Sequence, residues 1–204
     1  MTYESNIFLL HTCSEDSSVA FLTRQLDNSG TAIAKKFGIT CLPRGSKIEI
    51  HIIGLSQFSE MKNMLFKSCN TNDIVAFSAE SVYALSYPEI AMHYTIDSFC
   101  KVILHECIHA IQLMTTKVPT SHAVWLYEAV ACYLSEQYQA FPKEEPIPTW
   151  RNVKNDFYSI NHCYALAYLI GKMLIKQNDS ADIVSLLSDL PRCETLCEKY
   201  LSSI

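Results

Sequence analysis

The sequence predicts an α+β fold in which a small mixed or antiparallel sheet and an N-terminal helix precede a mostly helical C-terminal half. Polar and apolar residues alternate over residues 47–53, and the short apolar runs at 74–79 and 82–87 also have the composition of strands. From residue 94 onward, apolar residues recur at helical spacing instead. Strands that are followed by helices alone are typical of an α+β protein.

Two helices and a proline complete the first half, residues 1–93. A helix over residues 14–37 begins at Ser14, because serine is favoured at N-caps, and an Asn-Ser-Gly sequence at 28–30 interrupts its pattern. Residues 56–67 have the pattern of a short amphipathic helix. Pro88 is expected to end the last strand.

The second half, residues 94–204, is predicted to contain only helices. They are expected over residues 95–116, 122–139, 156–177 and 180–203, with two or three helices in the last two stretches. A loop marked by three prolines separates the second of these stretches from the third. The chain has 204 residues, 49% of them hydrophobic and 18% charged, so we expect both halves to belong to one domain.

Composition excludes several classes of function. The formal net charge is −5 and no basic stripe is present, so we expect no nucleic-acid partner. No apolar run has membrane-spanning length, and the N-terminus lacks the basic region of a secretory signal. Nine cysteines are scattered without a CxxC pair, which is typical of reduced thiols. These observations together predict a cytoplasmic protein that does not bind membranes.

The main motif is HECIH at residues 105–109. On a helix, His105 and His109 lie one turn apart on the same face, so both imidazoles can reach one zinc ion. Glu106 can then reach a water near the ion without binding the metal itself. Two surface histidines are the alternative, but apolar residues surround the motif and predict a buried helix, in which polar groups require partners.

A third ligand is predicted at Glu128, which follows His109 after 18 intervening residues. It lies in the otherwise apolar segment WLYEAVACYL, where an unpaired carboxylate would be costly. Two histidines and one glutamate, with a fourth position left for water, are the ligands of catalytic rather than structural zinc. We therefore predict a Zn²⁺ site at His105, His109 and Glu128.

HECIHAIQ followed by WLYEAVACYLSE resembles the gluzincin metallopeptidases, especially the peptidase-MA-like members with a W-L-x-E-G-x-A motif. The spacing from HExxH to the glutamate is similar to that of the aminopeptidase N family. The resemblance covers about residues 74–175. It implies a thermolysin-like zincin domain that hydrolyses peptide bonds of a peptide or protein substrate, with Glu106 as general base and one strand of the 74–87 hairpin binding the peptide.

The resemblance also implies an oxyanion donor. The segment beginning at Tyr164 resembles the Y-x-x-G-x-A-L sequence of aminopeptidases, so Tyr164 would stabilise the tetrahedral intermediate, unless it is simply a core tyrosine. Tyr158 and His162 are rival donors. Glu80 falls where aminopeptidases place a glutamate that binds the substrate amino terminus, but the surrounding motif is missing, and we interpret it as a polar hairpin residue.

The chain departs from this family at two positions of the second motif. Ala129 replaces the usual glycine, and Cys132 occupies a position where some gluzincins have an acidic partner for a histidine. Cys107 points away from the motif histidines and is predicted to be a packing residue. The remaining histidines have no metal-like spacing and are interpreted as structural or surface residues: His11, His51, His93 and His122.

Three other functions compete with the peptidase. A zinc-bound pseudoenzyme or peptide-binding module would keep the ligands without turnover. A deformylase-like hydrolase would use a cysteine as third ligand, although its E-G-C-L-S motif is missing here. In a helical scaffold the HECIH motif would be accidental, which its joint occurrence with WLYEAVACYL disfavours.

Overall fold

The computed structural model describes residues 1–13, 17–65, 74–116, 123–177 and 182–204. The chain folds into two compact units. The first contains residues 1–35 and 39–111, and the second contains residues 36–38 and 112–204. His122 and the first residues of the predicted helix 14–37 lie outside the described residues. The architecture is α+β with a mixed sheet, as predicted, while the single domain with a division at residue 93 stays a prediction.

The first unit contains a five-stranded sheet of order β1-β2-β3-β5-β4. The strands are β1 (Thr2–Glu4), β2 (Phe8–Thr12), β3 (Ile48–Ile53), β4 (Ala76–Ser78) and β5 (Val82–Leu85). The central pairs, β2 with β3 and β3 with β5, are parallel, whereas β1 and β4 pair antiparallel at the two edges. The strands predicted at 47–53, 74–79 and 82–87 are confirmed as β3, β4 and β5. The two N-terminal strands are additional.

Helices of the first unit lie between these strands and after the last of them. They are α1 (Ser17–Gln25), α2 (Thr31–Lys36), α3 (Leu55–Leu65), α4 (Tyr87–Ile90) and α5 (Ile96–Thr115), the last of which continues into the second unit. The predicted interruption at 28–30 is confirmed, because a π-helical turn at Leu26–Gly30 joins α1 to α2. Pro88 lies in the first turn of α4, after β5 has ended at Leu85. Proline is tolerated there because the first helical turn requires no backbone N–H donor.

The second unit is helical. It contains α6 (Val124–Leu134), α7 (Trp150–Asn155), α8 (Cys163–Gln177), α9 (Ile183–Ser188) and α10 (Leu190–Leu201). The predicted helix 122–139 is too long, because Glu136 has a left-handed φ of 56°. The N–H of Glu136 donates to the carbonyl of Tyr133, and that of Gln137 to the carbonyl of Cys132. This pattern is a Schellman C-cap, which ends α6 before the predicted position.

The region predicted as a helix over 156–177 contains two elements. A short 3-10 helix at Phe157–Ser159 precedes α8, and His162, with a φ of 55°, separates the two. No helix within the described ranges combines the length and apolar character needed to cross a lipid bilayer.

Candidate metal centre

Two imidazole nitrogens come close together on α5. His105 and His109 are one turn apart, and their Nε2 atoms are 2.9 Å from each other. Their rings are nearly perpendicular, with centroids 4.6 Å apart. His105 is buried and His109 is half-buried. A tetrahedral zinc ion with bonds of about 2.0–2.1 Å requires ligand atoms roughly 3.3 Å apart, so the residues present fit the two nitrogen positions of such a site.

Packing in the first unit holds this part of α5 in place. A Cβ atom built on Gly30 would lie 2.8 Å from the ring of Phe8 and 3.5 Å from a methyl carbon of Leu104, the residue before His105. Glycine at position 30 therefore lets the π-helical turn pack closely against β2 beside the motif. Near the start of α5, the rings of Tyr87 and Phe99 are 5.7 Å apart. Both contacts restrict the orientation of the helix that carries the histidines.

The two residues that follow His105 differ in their environment. Glu106 is half-buried. Cys107 is 1% exposed, and burial, together with the negative charge of Glu106, raises the pKa of its thiol well above the usual range. Cys107 therefore stays protonated at neutral pH and is a packing residue, as its position on the helix predicts.

In the second unit, Glu128 lies on α6 among apolar residues. The run from Trp125 to Cys132 is entirely buried, and Glu128 itself is 6% exposed. Tyr158 donates a hydrogen bond of 2.6 Å from its hydroxyl to Oε1 of Glu128. This length is typical of a charge-assisted bond to a carboxylate. A phenol group 30 residues away in the chain therefore supports the predicted third ligand.

The same contact changes the acidity of Tyr158. Burial of its hydroxyl and, second, the negative charge of Glu128 raise the Tyr158 pKa far above its ordinary value, although 59% of the residue's surface is exposed. The exposed surface and the buried hydroxyl are compatible, because one edge of a tyrosine can face water while its oxygen contacts a buried group. Tyr158 therefore remains a hydrogen-bond donor to Glu128 throughout the physiological pH range.

Two thiols lie near Glu128 along the chain or in space. Cys132 is fully buried one turn after Glu128 on α6. The half-buried Cys163 at the start of α8 has a raised thiol pKa, caused first by burial and then by the charge of Glu128. The Cys163 thiol is therefore protonated at neutral pH, and the hydrogen bond that Glu128 receives comes from the hydroxyl of Tyr158.

The three candidate oxyanion donors are in different environments. Tyr158 is bound to Glu128, as described above. His162 is exposed, and its Nε2 lies 3.9 Å from a carboxylate oxygen of Glu145. Tyr164 lies in the first turn of α8 and is 42% exposed, so it is not the core tyrosine that was the alternative. Glu80 is exposed in the turn between β4 and β5, in agreement with its interpretation as a hairpin residue.

Close packing of α8 positions α6. A Cβ atom built on Gly171 would clash with the carbonyl oxygen of Ala129 and would lie 2.8 Å from the Cβ of Tyr133. The absence of a side chain at position 171 therefore lets the two helices approach to backbone contact directly beside Glu128. The small residue that permits this close approach is Gly171 of α8, so α6 itself needs no glycine at position 129.

A buried amide contacts the residue that precedes Glu128. Gln112 is fully buried, and its side-chain Nε2 donates to the carbonyl oxygen of Tyr127 at 3.1 Å. Gln112 lies on the part of α5 that belongs to the second unit, three residues after His109 on the same continuous helix. Within the second unit, the C-terminal end of α5 is thus hydrogen-bonded to α6.

The structure also brings together polar residues for which the sequence predicted no site. His11, Glu49 and His51 offer ligand atoms that all lie within 4.8 Å of one another in the first unit. Burial, and second the neighbouring His11, lower the pKa of His51. His11 and His51 are 40 residues apart, so spacing along the chain gave no signal. Pairing β2 with β3 places His11 opposite His51, but β2 was not predicted from the sequence. His93, in contrast, is exposed in a turn.

Replacing Tyr158 by phenylalanine is expected to weaken zinc binding by about 10–100-fold, because groups that hydrogen-bond a ligand contribute affinity of this order. Competition with a chromophoric chelator measures this affinity. Tyr138→Phe is the matched control, since it removes a hydroxyl from a tyrosine of similar exposure in the same unit. Equal zinc affinity in the Tyr158→Phe and Tyr138→Phe variants would show that the contact with Glu128 does not support metal binding.

A comparison with models of known protein families found no matching family, and a comparison with curated proteins found no relative. The function therefore has to be inferred from the chemistry of the residues described above.

Proposed function

We propose that this protein is a zinc-dependent peptidase of the thermolysin-like zincin class. His105, His109 and Glu128 would hold the ion, and Glu106 would act as the general base. The observation that carries the proposal is the 2.9 Å separation of the two Nε2 atoms on α5. Neutral imidazoles present lone pairs at these atoms, and a shared cation makes their close approach favourable.

The environment of Glu128 supports its place as third ligand. A buried carboxylate requires compensation, and a neutral tyrosine hydroxyl leaves its negative charge in place for a cation. A ligand set of two imidazoles and one carboxylate leaves one position for water, as catalysis requires.

When bound in such a site, zinc lowers the pKa of a water molecule and polarises the carbonyl group of a substrate. The residues of this chain perform the proton transfers. Glu106, next to His105 and half-buried, would remove a proton from the attacking water and later pass it to the leaving amine. Tyr164, whose side chain is partly exposed, would donate its hydroxyl to the developing oxyanion.

The sheet suggests how a substrate would bind. β4 is an outer strand and pairs on one side with β5. An extended peptide can add to such an edge through backbone hydrogen bonds, which recognise main chain rather than sequence. We therefore propose a peptide or an unfolded protein segment as substrate. A cytoplasmic location, expected from the scattered cysteines, is part of this proposal.

The second candidate function is zinc-dependent peptide binding without turnover. It is favoured by Cys132, a buried thiol at the position where some gluzincins place a carboxylate that orients a histidine. Without that partner, a zinc ligand keeps its position less firmly. Turnover distinguishes the two functions, since both predict bound zinc.

The proposal is tested by measuring bound zinc in the Glu128→Gln variant and cleavage of a mixed peptide library by the wild-type protein. We expect the variant to lose one equivalent of zinc, since an amide is a poorer ligand than a carboxylate. Glu198→Gln, on the exposed face of α10, is the control. Wild-type protein should cleave peptides, and a chelator should abolish the cleavage until zinc is restored.

The outcomes separate the alternatives. Unchanged zinc content in the Glu128→Gln variant would exclude Glu128 as a ligand and favour a cysteine ligand of the deformylase kind. Full zinc occupancy in the wild type without peptide cleavage would favour the binding module. A wild-type protein without zinc would contradict both functions.

A further inference from the structure

A row of rings crosses the half-exposed face of the sheet in the first unit. Parallel pairing places His11 of β2 directly opposite His51 of β3, and His51 opposite Tyr83 of β5. The two imidazoles stack with centroids 4.9 Å apart and an interplanar angle of 15°. The rings of His51 and Tyr83 stack in turn at 5.1 Å. This arrangement aligns two potential ligands on adjacent strands.

A carboxylate completes the row. Glu49 precedes His51 by two residues on β3, so its side chain projects from the same face of the sheet. A carboxylate oxygen of Glu49 lies 3.4 Å from Nε2 of His51. That separation matches the roughly 3.3 Å between ligand atoms of a tetrahedral zinc ion. All three ligand atoms lie within 4.8 Å of one another, and rotation of the stacked imidazole rings would direct their in-plane lone pairs at one ion.

We propose that His11, Glu49 and His51 form a second metal site, which binds a divalent transition-metal ion such as Zn²⁺ on the half-exposed face of the sheet. Two imidazoles and one carboxylate are suitable ligands for Zn²⁺ and Cu²⁺, and less so for Mg²⁺ or Ca²⁺, which prefer oxygen. The site lies entirely within the first unit and uses none of the residues of the α5 motif.

The surroundings of the cluster favour binding over simple packing. Central parallel strands hold the backbone positions of His11 and His51, so little backbone order has to be gained when an ion binds. Tyr83 supports one face of the His51 ring. The side chains of His51 and Glu49 are 27% and 47% exposed, so solvent ions have access. An ion shared by β2 and β3 would also stabilise the folded chain, by a free energy that rises with the logarithm of the metal concentration once this exceeds the dissociation constant.

Zinc titration of the metal-free full-length protein tests the proposal. The His11→Gln/His51→Gln variant should bind one equivalent fewer than the wild type. His93→Gln, which removes an exposed histidine elsewhere in the same unit, should bind the wild-type number. The difference between wild type and variant counts the sheet site alone, so it holds whether or not the α5 motif binds zinc. Equal stoichiometry in the double variant and the wild type would overturn the proposal.

Glu49→Gln tests the carboxylate separately. Loss of a group that only supports a ligand costs about 10–100-fold in metal affinity, so loss of a ligand should weaken zinc binding at the sheet site at least about tenfold. Unchanged affinity would remove Glu49 from the site and leave a two-histidine site, contrary to the proposal.

A measurement on the wild-type protein covers the case in which the double variant fails to fold. Carbethoxylation by diethyl pyrocarbonate, followed by mass spectrometry, reports the reactivity of each histidine. We expect zinc to slow the modification of His11 and His51 at least tenfold while leaving the exposed His93 unchanged. Equal rates at His11 and His51 with and without zinc would mean that the row of rings is a packing feature only.

Discussion

Replacing Glu106 by glutamine is expected to lower peptide turnover by about 10²–10⁴-fold, the usual contribution of general acid–base catalysis. Glutamine keeps the shape of the side chain but cannot accept the proton of the attacking water at neutral pH. Bound zinc should remain at the wild-type level, because Glu106 is not one of the proposed ligands. Steady-state cleavage of a peptide identified in the library measures the loss.

Glu89→Gln is the matched control for this variant. Glu89 lies exposed on α4 in the same unit, so its replacement changes the net charge equally and should leave turnover unchanged. The Glu106→Gln variant would exclude Glu106 as the base if it bound zinc at the wild-type level and kept turnover within about twofold of the wild type. Loss of a general base lowers turnover far more than this. The peptidase would then need a different proton acceptor.

Replacing Gly171 by alanine is expected to lower the free energy of unfolding by about 1–3 kcal/mol, as overpacking in a core does. Alanine favours a helix over glycine by about 1 kcal/mol, but here its Cβ would clash with the backbone carbonyl of Ala129. No side-chain rotation relieves contact with a backbone, so α6 and α8 must move apart. Denaturant unfolding followed by circular dichroism measures the loss.

The Gly171→Ala substitution should also weaken zinc binding. Glu128 precedes Ala129, the residue that the new Cβ atom would meet, so a shift of α6 would displace Glu128 as well. Gly45→Ala is the control, since a Cβ atom at Gly45 would meet no atom within 4 Å. That control should change stability by less than about 1 kcal/mol. A Gly171→Ala variant as stable as the wild type would mean that the close contact between α6 and α8 is not required.

The sequence was a good guide to the elements with a strong local pattern. α5 was predicted at 95–116 and spans Ile96–Thr115, because its apolar residues repeat at helical spacing and Thr95 accepts the N–H of Ser98 at its start. The strands β3 and β5 were predicted from alternation or a buried apolar run. The short strand β2 escaped prediction, because five residues with one interior histidine carry too little periodicity.

Within the candidate sites, the sequence predicted which residues lie close together on one helix. It did not predict which residues of different elements come into contact. The separation of His105 and His109 by one turn follows from helix geometry alone. In contrast, the end of α6 depends on the left-handed conformation of Glu136. A glutamate in the sequence does not indicate that conformation. Glycine is the usual residue at such an end, and its absence extended the predicted helix by several residues.

By itself the sequence determined the α+β class, the helix that carries HECIH, and the buried apolar helix around Glu128, because these depend on the order of polar and apolar residues in one continuous segment. Only the tertiary structure decided that Tyr158 binds Glu128, that Gly171 faces Ala129, and that His11 lies opposite His51. The physical reason is that such contacts join residues far apart in the chain. They arise from the packing of whole elements, which no local periodicity encodes.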